Sequence, residues 1–548
     1  MPAAPPPVPS LAIDRRTLLT AGFAGLGLAA APLAAQTATG FTHGVASGEP
    51  SAHSMLLWTR YAGTRDTRLR WEMSETADFA RVVSGGNAVA APQHDWCAKA
   101  VAKGLNPGTW YHYRFIAPDG SLSAVGRTRT LPDGATDRFR MAVFSCANMG
   151  FGYFNSYAHA AESDAFELAV HLGDYFYEYD HDTYPTEKQR LAGRTPEPLS
   201  EAIHLADYRL RYASYRRDPD LLRLHQLFPM VAVLDDHETA NDTWKGGAEN
   251  HTPATEGSWT ARKKAAMRAR AEWLPISDDV YARYDIGDLA TLFRLETRVT
   301  ARDKPFDLSA VVAGMAPDQA EAALRNFHDG AYLNPKRTLM GPAQERWLAD
   351  GLQSSVKSGR KWQVLVQQVV MGTVLLPPTV SLDLDPELEK IAASRMAGLL
   401  AATAAGIPFN MDSWDGYPAA RARLLDAARE AQANLVVLSG DSHNAWANDL
   451  AGAGVEFAGT SVSSPGAETY LPFVKPTVLA RALVQANGAL KWCDTSRRGY
   501  MAVELTPAQA ICEWRFADTV RTRSPAHTDV HRLAADYGAR RLTQGLSG

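Results

Sequence analysis

Asp235-Asp236-His237-Glu238, with Asn241 three positions further on, follows directly on the apolar run Met230-Val231-Ala232-Val233-Leu234. Carboxylates, an imidazole and an amide at the end of a buried strand would cost several kcal/mol to desolvate unless a cation or a hydrogen-bond network compensated them. Three other strand-like runs finish in the same way. Residues 139–145 lead into Cys146-Ala147-Asn148, 168–172 into Gly173-Asp174-Tyr175-Phe176-Tyr177, and 435–439 into Gly440-Asp441-Ser442-His443. Four runs with one layout predict one shared site of metallic character, because loops at the carboxyl ends of strands converge on the ligand crevice of open α/β sheets.

The donor set is mixed. Carboxylate and amide oxygens, as on Asp174, Asp236, Asn241 and Asp441, suit a hard ion such as calcium, whereas thiolate, imidazole and tyrosinate suit a transition metal such as iron or zinc. Two chemically distinct ions are therefore expected, with Asp174 as the natural bridge because a carboxylate has two oxygens to share. Two ions about 3.5–4 Å apart clamp the attacking and leaving oxygens of phosphoryl transfer and lower the pKa of bound water. Hydrolysis of a phosphate ester is the reaction such equipment serves most directly.

Each residue has an ordinary alternative. Cys146 can be a small buried thiol, His443 a hydrogen-bonded structural histidine and Asn241 a turn former. Tyr175 and Tyr179 compete with Tyr177 for any ligand role, and Asp236 and His237 divide between holding an ion and orienting the groups that do. Asn148 either steadies a substrate oxygen or closes a turn. Arg298 either binds phosphate bidentately or pairs with an acidic neighbour, and Trp414 packs beneath the site.

A chain of 548 residues has room for two or more domains. Its 46% apolar and 21% charged residues are those of an ordinary globular protein, and a net charge of −4 excludes non-specific nucleic-acid binding through a basic surface. Arg15-Arg16, an apolar stretch from Ala21 to Ala31 and small residues up to Ala35 predict a Tat-type signal over residues 1–35, hence the Tat machinery as partner and a periplasmic or secreted protein without a stable membrane span. Four cysteines are too few for a disulfide scaffold; Cys97 either pairs with Cys493 or Cys512 or stays buried. Residues 40–132 read as a small all-β sandwich resembling a fibronectin III module, with strands punctuated by turn-forming clusters such as Asn106-Pro107-Gly108. From Arg138 to about 524 the pattern becomes α/β, apolar strands separated by helical stretches. Residues 259–274 predict a helix whose Arg262, Lys263, Lys264, Arg268 and Arg270 form a solvated face rather than a phosphate-binding patch, and residues 385–405 predict another helix. The tail, 525–548, reads as a surface helix.

The ordered motifs resemble those of the PhoD-type alkaline phosphatase/phosphodiesterase family. The likeness begins at Phe41-Thr42-His43-Gly44-Val45-Ala46-Ser47-Gly48-Glu49-Pro50 and continues through Ser145-Cys146-Ala147-Asn148, His171-Leu172-Gly173-Asp174-Tyr175-Phe176-Tyr177-Glu178 and Asp235-Asp236-His237-Glu238. It extends to Asp412-Ser413-Trp414-Asp415-Gly416-Tyr417, Ser439-Gly440-Asp441-Ser442-His443 and Gly459-Thr460-Ser461-Val462-Ser463-Ser464. The resemblance implies a metallophosphatase-like αββα sandwich behind the β module, holding ferric iron and calcium and hydrolysing phosphomonoesters and phosphodiesters by attack of metal-activated water. It implies Cys146, Asp174, Tyr177 and His443 as iron ligands, with Asp174 shared with a calcium that also draws on Asn241, Asp441 and Asp236. The broader binuclear phosphoesterases open with Asp-x-His where this chain has Cys146, which argues against an ordinary di-zinc or iron-zinc enzyme. Glu296 stands where the PhoD pattern usually has Asp, which weakens the expectation of a role for Glu296 and leaves Arg298 available as a phosphate contact. Small phosphate esters are the expected partners. A phospholipase D-like enzyme acting on lipid head groups and a catalytically silent surface protein are the competing readings.

Overall fold

The structure, a computed structural model, describes residues 40–543, so the expected signal segment lies outside the described residues. Seven strands precede the linker at 131–134: β1 (Gly40–Gly48), β2 (Ser54–Ala62), β3 (Thr67–Ser74), β4 (Val82–Ala90), β5 (Cys97–Lys103), β6 (Trp110–Ile116) and β7 (Gly126–Arg129). Then come β8 (Phe139–Phe144), β9 (Leu168–His171) and β10 (Pro229–Ala232). The second half supplies β11 (Ala282–Ile286), β12 (Ala290–Arg294), β13 (Trp362–Val366), β14 (Leu435–Ser439), β15 (Ala445–Asp449), β16 (Gly454–Ala458) and β17 (Leu490–Asp494). The last three are β18 (Gly499–Leu505), β19 (Gln509–Phe516) and β20 (Asp529–Asp536).

Among the described residues these strands form three sheets: a nine-stranded one in the order β20-β19-β18-β8-β9-β10-β1-β2-β5, a seven-stranded one in the order β11-β12-β13-β14-β16-β15-β17, and a four-stranded one in the order β4-β3-β6-β7. The central strands β8, β9 and β10 pair in parallel, as do β12, β13 and β14. Parallel neighbours need crossover segments, and helices supply them: Asn155–Ser163 between β8 and β9, Leu205–Tyr215 and Pro219–Leu227 between β9 and β10, Gly341–Lys357 between β12 and β13, and Pro418–Glu430 between β13 and β14.

Side chains alternate across each central strand. Met141 and Val143 of β8, Val170 of β9, Leu292 of β12, Val364 of β13 and Val436 of β14 meet in one core between the two large sheets. The intervening Ala142, Ala169 and Ala232 pack outward against Tyr157, Tyr212 and Leu221 of the helices over the first sheet. On the second sheet Phe293, Leu365 and Val437 face Leu348, Leu352 and Leu424 of the helices there. Each buried Val, Leu, Met or Phe side chain among these contributes about 1.5–3 kcal/mol. The result is helices, sheet, sheet, helices.

Two expectations are corrected, and a third gains a connection. The strands before residue 132 form an all-β region in which β3, β4, β6 and β7 pack across β1, β2 and β5 on a core of Leu57, Leu69, Trp71 and Tyr113, and β1 also pairs in parallel with β10 (Ser47 opposite Pro229), so β1, β2 and β5 continue the large sheet. Alternation marked the strands, but no local pattern records that an edge will be joined by a strand some 180 residues later. The tail is not a surface helix. β20 pairs along its whole length with β19 and buries Leu533 and Ala535 in the inter-sheet core. The cationic helix Trp259–Trp273 is real, yet its arginines are not all solvated: Arg262 is buried and paired with Glu201 at 2.6 Å and Glu256 at 2.7 Å, and Arg270 is buried as well. The helix at Pro386–Ala404 is present as expected, with Asp385 accepting from two N–H groups at its start. All four cysteines are buried and free. No helix among the described residues is long and apolar enough to cross a membrane.

Candidate metal centre

Six strands deliver the site. Cys146 and Asn148 follow β8, Asp174 and Tyr177 follow β9, Asp235 to Glu238 follow β10, Arg298 follows β12, Gln368 follows β13, and Asp441 and His443 follow β14. The loops are drawn unusually close. A Cβ on Gly173 would lie 2.2 Å from the Cβ of Asp235, so only glycine lets the second and third loops meet. Cys146, Asp174, Asp441 and His443 all adopt left-handed backbone, with φ of 59°, 52°, 61° and 59°. Each costs on the order of 1 kcal/mol for a side chain with a Cβ, a strain that concentrates at functional sites.

Glu238 ties two loops together. Its carboxylate accepts from the backbone N–H groups of Tyr175 (2.7 Å), Asp235 (2.9 Å) and Asp174 (3.2 Å). Across the strand ends, Cys146 N–H donates to Gly173 O at 3.2 Å and Ala147 N–H to Asp174 O at 2.9 Å.

Cys146, Asp174 and His443 each offer a donor atom within 4.8 Å of the others. Asp174, Asp236 and His237 form a second set of the same kind, and Asp235, Asp236 and Asp441 a third, so Asp174 and Asp236 link the three. Tyr177 belongs with the first: its hydroxyl is 2.9 Å from Asp174 Oδ2 and 2.9 Å from His443 Nε2, and Ser464 Oγ donates to it at 2.8 Å. His443 Nδ1 lies 2.8 Å from Pro465 O. A carbonyl can only accept, so Nδ1 carries the proton and Nε2 presents a lone pair to the site. Burial lowers the pKa of His443 to about 4, which keeps the ring neutral.

Lone pairs outnumber protons here. Tyr177 has one hydrogen for two acceptors, and Asp174 Oδ1 and Asp235 Oδ2 are buried with no partner among the described residues. Burial first, and the nearby Asp174 charge second, push the Cys146 thiol and the Tyr177 phenol well above their usual pKa values. Both therefore keep their protons unless a cation stands among them. Asp174 itself is pushed well up, above all by burial. A soft-and-hard donor set, orphaned carboxylate oxygens and excess lone pairs are the chemistry of a cation site, and the residues present fit bound metal.

The acidic side is held by Arg298, which is fully buried. Its Nε reaches Asp235 at 2.5 Å, Nη1 Asp412 at 2.6 Å and Nη2 Asp441 at 2.7 Å. These contacts set each of the three nitrogens on a carboxylate, the acid-pairing alternative for Arg298, while each Nη keeps a second N–H. Arg302 also binds Asp412. One guanidinium does not neutralise the cluster: burial, opposed by Arg298, holds Asp441 up at about 6, and burial with the Asp412 and Asp236 charges takes Asp242 to about 8. Asp236 goes the other way. Burial opposes its ionisation, but the His237 and Arg298 charges and the Asp242 N–H, 2.7 Å from Oδ2, hold it well down. His237 pairs with Glu178 at 2.7 Å.

Asn148 Oδ1 accepts from Gly150 N–H at 3.0 Å and closes the turn, while the Nδ2 amide is buried without a partner among the described residues. Asn241, expected among the hard-ion donors, has its side-chain amide on Glu249 and its backbone N–H on Glu178 at 2.7 Å. Trp414 is core, with Nε1 donating to Gln367 at 3.2 Å. Sequence reading assigned no role to Glu238, Asp242, Glu178 or Ser464 and left Asp412 as a nearby loop residue. Glu238 and Glu178 lay inside recognised motifs, but nothing in a motif distinguishes a carboxylate that binds backbone N–H groups from one that faces an ion.

The PhoD-like phosphatase family model matches residues 141–514, and the N-terminal domain model of the same family matches residues 27–132. Alkaline phosphatase D of Bacillus subtilis (strain 168) is 32% identical over 513 residues, which is 87% of this chain and 77% of that protein. A solved structure described as that of PhoD superposes with a TM-score of 0.74 at 28% identity, covering 93% of each chain. Fold, ordered motifs and donor cluster agree, and the chain belongs to the PhoD-like phosphatase family.

Proposed function

We propose that this chain is an exported phosphatase that hydrolyses phosphate esters, diesters as well as monoesters, at a centre of ferric iron and calcium. One observation carries the reading: the Tyr177 hydroxyl sits 2.9 Å from both Asp174 and His443, beside Cys146, with an Asp174 oxygen left unpartnered. Cys146, Asp174, Tyr177 and His443 would hold the iron; Asp174, Asp236, Asp441 and Asn241 would hold the calcium. Bound there, the two ions supply Lewis acidity, charge neutralisation and a water acidified for attack on phosphorus.

The remaining work falls to the chain's own groups. The free Asn148 amide donates to a phosphoryl oxygen and favours the charge that develops on it. Arg298 holds Asp235, Asp412 and Asp441 in fixed orientation, and Glu238 holds the Asp174 and Asp235 loops at their spacing. His443 Nδ1–H stays hydrogen-bonded to Pro465 O, which keeps Nε2 available. The layer order supports a metallophosphatase-like αββα sandwich, and the strands at 40–132 a fibronectin III-like module grafted on its edge. The Arg15-Arg16 segment supports export through the Tat machinery to the periplasm or medium.

Protein purified from its native export route should contain iron and calcium by elemental analysis and should release phosphate from an aryl phosphate. A panel adding a bis-aryl phosphate and a phospholipid separates phosphatase, phosphodiesterase and lipid head-group activity. Protein with both metals and no turnover on the panel would refute the reading.

A further inference from the structure

The helix Trp259–Trp273 carries cations that the metal centre does not use. Lys264, Arg268 and Arg270 line a cavity of about 340 Å³ that Arg294, the last residue of β12, also lines. Lys264, Met267, Arg268 and Ala271 fall at the spacing of one helical face, so the face is directed at the cavity. Arg270 and Arg294 are 6% and 2% exposed, and the Nε of each is buried without an acceptor. Their other recorded contacts are few: Arg270 Nη2 donates to Ala232 O at 2.8 Å, Arg294 Nη2 to Asp279 O at 2.8 Å, and Arg294 Nη1 stands 3.6 Å from Glu49. Burial, with the like charge of Arg294 adding to it, pulls Arg270 below its usual pKa. Two buried guanidiniums thus line one cavity, each with an Nε that no protein acceptor satisfies, a costly arrangement unless an anion enters.

Three carboxylates also line the cavity, Asp278, Asp279 and Glu296. Glu296 is fully engaged, accepting from the N–H groups of Arg298 (2.6 Å), Val299 (2.7 Å) and Thr300 (3.0 Å). Leu234, Met267, Ile276 and Leu295 provide apolar wall. Ligand pockets run from about 300 to 1,000 Å³, so this one accommodates more than a bare ion. Its lining includes Leu234 and Val299 but not Asp174, Asp235 or Arg298, which sets it beside the metal centre rather than in it.

We propose that this cavity is a second, non-catalytic site for a small organic oxyanion, a phosphoryl or phosphonyl head on an apolar body, with the head between Arg270 and Arg294. Phenylphosphonate is the probe, because its C–P bond is not a phosphate ester. Calorimetric titration of the metal-loaded protein should find two sites, and Asp174→Ala, with the metal centre disabled, should keep one. In the Asp174→Ala background, Lys264→Glu at the exposed rim should weaken that remaining site about tenfold, in line with the loss of a charge-assisted contact. Val280→Trp, at a position 50% exposed on the same rim, should abolish it by obstruction. Each rim substitution made alone should leave turnover of an aryl phosphate unchanged. Arg294→Gln is the direct variant; it is used only if its melting matches that of the parent, and the two rim variants carry the test otherwise. No binding to Asp174→Ala, or binding indifferent to Lys264→Glu and Val280→Trp, overturns the proposal. The readout is binding, so a failure of the hydrolase reading would leave it standing.

Discussion

Replacing Glu238 by glutamine tests whether the metal centre is held by backbone as well as by metal. The carboxylate is buried and accepts three backbone N–H groups, one on Oε1 (Tyr175, 2.7 Å) and two on Oε2 (Asp174, 3.2 Å; Asp235, 2.9 Å). Glutamine has one acceptor oxygen. If it serves Asp174 and Asp235, its NH2 is turned against the Tyr175 N–H, and a buried donor faces a donor. The loss is one hydrogen bond to a charged group, about 1.5–3 kcal/mol, plus a buried unsatisfied N–H, about 1–3 kcal/mol. A total of about 2.5–6 kcal/mol follows. With an unfolding entropy of about 2.1 cal/mol/K per residue, roughly 500 residues melting together lose about 1 °C per kcal/mol, so the expected drop in melting temperature is about 2.5–6 °C. Turnover should fall further than stability implies, because misplacing Asp174 by about 1 Å costs on the order of 100-fold. Differential scanning calorimetry and initial rates on an aryl phosphate measure the two effects on one sample. A Glu238→Gln protein that melts and turns over like the parent would show that the loops are placed without this carboxylate, and the positioning argument would be wrong.

Asp174→Ala should abolish turnover and lower both iron and calcium content; retention of either metal at full occupancy contradicts the bridging assignment. Cys146→Ser should deplete iron more than calcium, and equal depletion undoes the proposed division of ligands. Asn148→Asp keeps the acceptor for Gly150 N–H but exchanges the free amide for a carboxylate, so kcat should drop about 100-fold with melting almost unchanged; an unaltered kcat removes Asn148 from the reaction. His43 and His171 are buried with pKa values lowered to about 3, chiefly by burial. The unfolded chain takes up their protons near pH 6.5 while the folded chain does not, so their stabilisation is complete above pH 6.5 and is lost as pH falls toward 3, at about 1.4 kcal/mol per pH unit for each ring. Melting temperatures between pH 7.5 and 5 should decline accordingly, and His171→Gln should flatten the slope; a pH-independent melt of the parent refutes this.

Sequence alone determined the chemistry on offer. Apolar runs ending in Cys146, Asp174, Asp236 and His443 announced buried strands that carry polar ends, because hydrophobic periodicity and the cost of burying charge are local properties. The parallel α/β region and the helix at Pro386–Ala404 were legible for the same reason. Tertiary structure decided which of those groups meet and what each one does. Arg298 lies 63 positions from Asp235, 114 from Asp412 and 143 from Asp441, and only the convergence of strand ends makes it the counter-ion of three carboxylates. The union of β1 with β10, the recruitment of β20 to the sheet edge and the stitching by Glu238 are decided in the same way. Pairing and burial are contests among all distant partners, and the free energy that settles them exists only once the chain has brought them together.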